Sequence, residues 1–307
     1  MDRPPNPQRR GGRPINFVAR RLGLAALLAL AALFASGCGV FGPATASPPP
    51  SDALVLSFID VGQGDSTLVQ TGGESYLIDA GRPEEGPEVV DFLRSRGVEE
   101  LDGIVATHPD ADHIGGMPEV LDAFPVEEVY VSGTASGTST QAAFRSGVEE
   151  AGAGTTEVSA GDEMTWGGSE VTVLSPPEGG FGESNENSVV TLIEHGPEEA
   201  RALLTGDAAS EAEEYMIQSA GTGPVAVLKV GHHGSDTSTS PLFVNSFQPH
   251  VGVVSVGEDN DYGHPTPEVM SRLQRAGAET FRTDRRGDVI VTLHDEELEV
   301  AVSEGEG

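Results

Sequence analysis

The sequence predicts a single α/β domain in which two mixed β-sheets pack together with helices outside. Short β-branched and aliphatic runs alternate with helical patterns from residue 54 to 302. No shift in composition divides that span, and its two halves have similar make-up. With 307 residues and 37% hydrophobic composition, the chain can bury a sizeable core.

The first half opens with strands over 54–60, 66–70 and 76–79, joined by Gly-rich turns such as Gly72-Gly73. A helix over 88–96 groups Val89, Val90, Phe92 and Leu93 for burial. A strand over 103–107 follows, then a helix from about Gly116 to Ala123. The second half carries strands over 171–174, 189–194, 202–205, 225–230 and 251–256. Helices are predicted over 209–219, 241–247 and 267–276, the last with Pro267 in the first turn, where a missing N–H costs nothing. Strands over 289–293 and 298–302 end the pattern.

Residues 1–38 differ from all of this. Arg9, Arg10, Arg13, Arg20 and Arg21 precede an apolar run from Leu22 to Phe34, which ends in small residues and Cys38. That is the layout of an export signal, and the run is short for a membrane span. Ala35-Ser36-Gly37-Cys38 resembles a bacterial lipoprotein box, with alanine where leucine is usual. Cys38 is the sole cysteine, which excludes a disulfide within the chain and points to lipid attachment; an uncleaved N-terminal anchor is the alternative. Both place the globular part outside the cytoplasm at a membrane surface. Residues 39–50, with prolines at 48–50, read as a short stiff linker to a domain over 51–303.

The formal charge is −32. Residues 1–38 hold six Arg against Asp2 alone, a net of +5, so the remainder carries −37. Lys229 is the only lysine. This acidity favours solubility and opposes broad attraction to nucleic acid. Arg272, Arg275, Arg282, Arg285 and Arg286 run against it, as a local phosphate-binding face or as a chance cluster on a solvated helix and turn.

The chemistry concentrates in Thr107-His108-Pro109-Asp110-Ala111-Asp112-His113-Ile114-Gly115-Gly116. Four potential metal ligands, His108, Asp110, Asp112 and His113, fall within six positions after an apolar strand. Bringing imidazoles and carboxylates together costs several kcal/mol unless a divalent cation neutralises the carboxylates and takes the ring nitrogens. Alternate spacing lets His108 and Asp110 face one ion while Asp112 and His113 face a second. Asp207 ends the strand at Thr205-Gly206 and is either a metal bridge or the cap of the next helix. His232 and His233 precede Gly234-Ser235 after another strand, and a ligand role is expected for at least one. Asp65, in Asp60-Val61-Gly62-Gln63-Gly64-Asp65-Ser66, belongs to a tight hairpin or lies beside the metals. Asp79 is placed to orient ligand histidines, and His264 to contact an oxyanion or donate a proton. His195, His250 and His294 read as surface or packing residues.

Taken in order, these segments, with Leu77-Ile78-Asp79-Ala80-Gly81, Asn185-Glu186-Asn187-Ser188 and Tyr262-Gly263-His264-Pro265, resemble the metallo-β-lactamase fold superfamily, and within it the hydrolase domain of ComEC-type competence proteins. The resemblance runs from about Leu54 to Leu293 and implies a four-layer αββα sandwich with a dinuclear site at one edge. It implies His108, Asp110, Asp112, His113, Asp207 and His232 or His233 as ligands. Asp110 stands where most members have histidine, and Asn187 and Ser188 where a further ligand histidine is usual. An oxygen-richer set tilts the pair of divalent ions from zinc toward manganese or magnesium. The competence proteins also carry a multi-helix membrane channel that these residues lack, so DNA transport by this chain alone is not expected.

The expected activity is that of an exported, lipid-anchored phosphodiesterase or nuclease acting on DNA or another phosphodiester. Water between the two cations is the expected nucleophile. Asp112, Asp207, His264 and Lys229 form the expected catalytic set, with Asp65, Asp79, Asn187, Ser188 and Ser235 around them. Hydrolysis of a carbonyl ester, lactone, thioester or β-lactam at the same site is the enzymatic alternative, and a non-catalytic tethered binding protein the other. No protein partner is implied.

Overall fold

The computed structural model describes residues 52–196, 200–219, 221–295 and 297–303. The expected export signal at 1–38, the lipid-attachment residue Cys38 and the linker at 39–50 lie outside the described residues.

The elements in chain order are β1 (Leu54–Phe58), β2 (Thr67–Thr71), β3 (Glu74–Ile78), α1 (Gly86–Ser95), β4 (Leu101–Ala106), α2 (Ala111–Ile114), α3 (Met117–Ala123), β5 (Val126–Val131), α4 (Ser139–Ala151), β6 (Gly154–Glu157), β7 (Glu163–Trp166) and β8 (Ser169–Ser175). They continue with β9 (Val190–His195), β10 (Ala200–Leu204), α5 (Ser210–Ser219), β11 (Val227–Lys229), α6 (Pro241–Phe247), β12 (Val251–Val254), α7 (Pro267–Ala276), β13 (Glu279–Arg282), α8 (Thr283–Arg286), β14 (Val289–His294) and β15 (Glu297–Val302). Among the described residues no helix is long and apolar enough to cross a membrane.

One sheet has the order β15-β14-β1-β2-β3-β4-β5-β6 and the other β13-β12-β11-β10-β9-β8-β7. Each is antiparallel in one part and parallel in the other: β3 to β6 and β10 to β13 run parallel. Central strands are apolar on both faces because both faces are covered. In β1, Leu54, Leu56 and Phe58 enter the core between the sheets; Leu68 and Leu77 on the neighbouring strands turn the other way, toward α1, α3 and α4. In the second sheet, Val227 and Val253 enter the shared core, whereas Leu228 and Val254 meet Met216, Phe243 and Leu273 from α5, α6 and α7. The result is helix, sheet, sheet, helix.

The structure adds β5, α4, β6 and β7 within 124–170, and β13, to the elements that the sequence pattern predicts. Burial explains the strands. β6 has no fully buried residue, β7 buries only Trp166, and β5 only Val129. Strands of mixed polarity at or next to a sheet edge carry no continuous apolar run to detect. α4 is conventional in sequence terms: Thr138 Oγ1 accepts from Gln141 N at 3.2 Å as a cap, and Phe144 and Val148 are buried four apart.

Parallel strands bring their C-terminal ends to one edge of a sheet. The chain leaving β3 reaches Asp79, that leaving β4 reaches His108, that leaving β10 reaches Asp207, and that leaving β11 reaches His232 and His233. Topology alone therefore assembles residues more than 120 positions apart.

Candidate metal centre

Beyond β4 the chain bends at His108 and Pro109, is extended at Asp110, and then turns into α2, which carries Asp112 and His113. His113 is fully buried. Its Nδ1 lies 2.7 Å from Asp79 Oδ2, and the Asp79 carboxylate also accepts from Thr107 N at 2.9 Å and Thr107 Oγ1 at 2.7 Å. An ionised carboxylate only accepts, so Nδ1 of His113 carries a proton toward Asp79, and Nε2 faces inward, where a bound cation would take the place of its proton. Asp79 adopts φ 59°, a left-handed conformation that Asp tolerates better than bulkier residues.

His233 is set in the same way by a backbone group: its Nδ1 donates to Ser255 O at 3.0 Å. Nε2 is then 3.6 Å from Asp112 Oδ2 and 3.5 Å from Asp207 Oδ2. His232 and His233 both have positive φ, 47° and 52°, within the tight turn Gly231–Gly234. That turn points both rings toward Asp207. His232 Nε2 lies 3.7 Å from Asp207 Oδ2, and its Nδ1 lies 3.0 Å from Thr237 Oγ1. The His232 side chain is 26% exposed against 2% for His233, so His233 is the inner of the two.

Asp207 Oδ2 thus faces three imidazole Nε2 atoms at 3.3 Å (His113), 3.5 Å (His233) and 3.7 Å (His232). Nε2 of His108, His113 and His233 and Oδ1 of Asp207 and Asp65 are buried with no hydrogen-bond partner. These separations are long for hydrogen bonds, but close to the roughly 3–3.5 Å between two atoms that each lie about 2.1 Å from one cation. Donor atoms of His108, His113 and Asp207, and those of Asp112, His113 and His233, lie within 4.8 Å of one another. The two groups overlap at His113. A divalent cation satisfies the orphaned nitrogens and the clustered carboxylates together, so the residues present fit such a group.

Charge within the cluster is balanced internally. Burial pushes the carboxyls of Asp207 and Asp65 up, but the neighbouring imidazoles and Lys229 outweigh it and hold both below the usual range. Burial lowers His233, yet Asp207 and Asp65 lift it to about 9; His113 rises for a similar reason. Burial and the His113 ring bring His108 down to about 4, which leaves it a neutral donor at pH 7.

Lys229 requires a correction. The expectation was a substrate contact, but the side chain is 1% exposed. Its ammonium pairs with Asp65, donates to Gly206 O at 2.9 Å and lies 3.8 Å from Asp207 Oδ1. It is a counter-charge beneath the carboxylates, out of reach of a substrate. Asn187 also does not face the cluster: its amide accepts from Phe181 N and donates to Phe181 O and Glu183 O, which holds the 181–187 loop. Ser235 Oγ bonds Thr237 instead of the centre. Ser188 does adjoin it, accepting from Asp207 N at 3.1 Å and lying 3.4 Å from His108 Nδ1. Asp110 is at the rim, its Oδ2 3.7 Å from His108 Nε2 and its Oδ1 accepting from Ser184 Oγ at 3.0 Å. His264 reaches the cluster only through His232, ring centres 5.8 Å apart. Two of the arginines are engaged by protein groups: Arg272 donates to Ser238 O, Thr239 O and Glu268, while Arg282 pairs with Asp284.

Sequence reasoning gave no role to Thr107, Ser184, Asn185 or Thr237, all of which touch predicted ligands or their orienting groups. Ser, Thr and Asn are too common for type or spacing to mark them. Glu213 on α5 was missed too. It is buried and accepts from Thr239 N and Ser240 N, pinning the segment that follows His233. Burial raises its carboxyl to about 7 despite those donors. Because the folded-state value lies above the unfolded one, its contribution is full below about pH 4.5 and is lost as pH rises through 7, by an amount on the order of 3 kcal/mol. Melting curves at pH 5 and pH 8 should therefore differ less for Glu213→Gln than for the wild type; an equal difference would remove Glu213 from the account.

Residues 59–258 match the family model described as the metallo-beta-lactamase superfamily. The chain is 32% identical over 253 residues to ComE operon protein 3 of Bacillus subtilis, which covers 76% of this chain and 32% of that protein. It is 33% identical over 247 residues to Recombination protein 2 of Haemophilus influenzae, covering 79% of this chain and 29% of the relative. Competence protein ComA of Neisseria gonorrhoeae is 32% identical over 240 residues, 78% of this chain and 32% of that one. The chain thus spans about a third of the length of these curated relatives. Among solved structures, YhfI of Bacillus subtilis, described as a metallo-beta-lactamase fold protein, superposes with TM-score 0.54 at 11% identity over 78% of this chain and 100% of its own. CmlA, a diiron β-hydroxylase of Streptomyces venezuelae, gives 0.52 at 17% identity over 83% of this chain and 55% of that one. At those identities the likeness is one of fold.

Proposed function

The chain belongs to the metallo-β-lactamase superfamily, and from that premise we propose that it is a metal-dependent phosphodiesterase or nuclease, exported and tethered to a membrane through Cys38. The observation that carries the reading is Asp207 Oδ2 facing three inward Nε2 atoms at 3.3–3.7 Å, two of them buried without a hydrogen bond. His108, Asp112, His113, Asp207 and His233 would hold two divalent cations, with Asp110 and His232 at the rim. Such cations, when bound, supply Lewis acidity toward a phosphoryl oxygen and lower the pKa of water.

The protein's own residues do the rest. Asp79 and the Ser255 carbonyl fix the rings of His113 and His233, so their Nε2 atoms need no reorientation to meet a cation. Lys229 neutralises Asp65 at the back of the site, leaving Asp207 and Asp112 to face the front. Asn260 clamps the loop of His264 through Tyr262 N, His264 N, Gly257 O and His264 O, which holds that imidazole beside His232 for contact with a substrate oxygen. The words recombination and competence in two relatives' names favour a nucleic-acid phosphodiester as substrate.

The net charge of −32 favours the rival reading, hydrolysis of a lactone, thioester or β-lactam. A side-by-side panel separates them. Manganese-loaded protein should cleave plasmid DNA or bis(p-nitrophenyl) phosphate, lose cleavage on chelation, and contain about two ions per chain by elemental analysis. Intact phosphodiesters beside hydrolysed lactone or nitrocefin would transfer the assignment to the rival, and fewer than one ion per chain would support a non-catalytic role.

A further inference from the structure

A cavity of about 530 Å³ lies between α4 and the strands β5 and β6, and His108 and Pro109 form one end of it. It therefore adjoins the candidate metal centre at His108. Its floor is apolar: Val129, Val131, Phe144 and Val148. Its rim carries Arg145, Glu149 and Glu157, whose charged ends make no ion pair among the described residues. A second cavity of about 530 Å³ shares Ser132, Gly133, Thr134 and Glu157 with it and reaches Ser184 and Asn187. Glu178 and Glu183 line that one.

The charge pattern determines what can enter. Two carboxylates against one guanidinium here, with Glu178 and Glu183 in the adjoining cavity, repel a second phosphate of a polyanionic substrate, and the apolar floor gives it no compensating bonds. The only flat, uncharged and largely apolar part of a nucleotide is its base. The volume lies in the range of pockets that enclose small organic ligands. Exocyclic amino groups on a base would donate to rim carboxylates, as Glu accepts from cytosine N4 elsewhere, and a guanidinium at the mouth suits a ring face.

We infer that the cavity beside His108 is a nucleobase subsite, which takes the base of the nucleotide next to the scissile phosphate while the backbone stays outside. The inference rests on the phosphodiester reading for its link to catalysis, but binding of a base does not. A base can enter only when unpaired and unstacked, so the preferred substrate is single-stranded or locally opened nucleic acid.

The test uses the full-length protein in two arms. In the first, cytidine, guanosine, adenosine and thymidine, which lack phosphate, are titrated by equilibrium dialysis. Saturable binding is expected, stronger for the amino-bearing bases, and weakened about tenfold or more by Thr155→Trp, which fills the cavity from an exposed position on β6. In the second, a short single-stranded oligonucleotide and the same backbone made abasic are compared as substrates. KM is expected at least tenfold lower for the base-bearing strand, with the ratio falling toward one in Thr155→Trp and the order among bases shifting in Glu157→Gln. Melting curves show that the variants fold. Nucleosides that do not bind, or a KM ratio near one in the wild type, would overturn the subsite. Nucleoside binding without cleavage of any diester would overturn the phosphodiesterase reading and leave the subsite standing.

Discussion

Asp207→Ala is expected to lower phosphodiester cleavage by on the order of 10³-fold or more, and to lower the ions retained per chain. Asp207 Oδ2 faces His113, His233 and His232, while Oδ1 is buried without a hydrogen bond and lies 3.8 Å from Lys229 Nζ. No other carboxylate among the described residues faces three imidazole Nε2 atoms. Asp207→Asn is the companion variant: it keeps shape and volume and removes only the charge, so a similar loss would trace the effect to the carboxylate and not to a cavity. Circular dichroism should show the fold retained in both. If either variant keeps two ions and a rate within tenfold of the wild type, the centre is not organised around Asp207.

Lys229→Met is expected to cost about 3–5 kcal/mol, and so to lower the melting temperature by on the order of 10 °C. The reason is what stays behind. Asp65 and Asp207 are both fully enclosed, and Lys229 is the sole ammonium side chain in the sequence. Removing it leaves Asp65 buried without its nearest counter-charge. The double variant Lys229→Met with Asp65→Asn removes both charges and should recover much of the loss, because a neutral pair of similar volume has nothing to leave unpaired. A single variant that costs under about 1 kcal/mol, or a double variant no better than the single, would show that the pair is not what holds this part of the site.

These two residues mark where reading from sequence succeeds and where it ends. Asp207 was legible as a candidate because it terminates an apolar strand in Thr-Gly-Asp, although the same position also suits a helix cap. Lys229 was visible only as a cation near two histidines. Whether it faces a substrate or a buried carboxylate depends on Asp65, 164 positions earlier, which β2, β3 and the parallel pair β10–β11 bring beneath it. Asp79 was anticipated as an orienting group, yet its partnership with both Thr107 and His113 appears only once β3 and β4 pair in parallel.

By itself the sequence determined the αββα class and most of the central strands and helices, and it located the residues able to bind a cation. Buried strands and clustered His and Asp are local patterns, set by what neighbours along the chain can bury or coordinate. Tertiary structure decided that His233 is the inner histidine of its pair, that Asn187 and Ser235 bond loops instead of the centre, that Arg272 and Arg282 are engaged by protein groups, and that a cavity opens beside His108. Those outcomes depend on desolvation and on charges meeting through space, and such meetings are fixed by how two sheets align their edges.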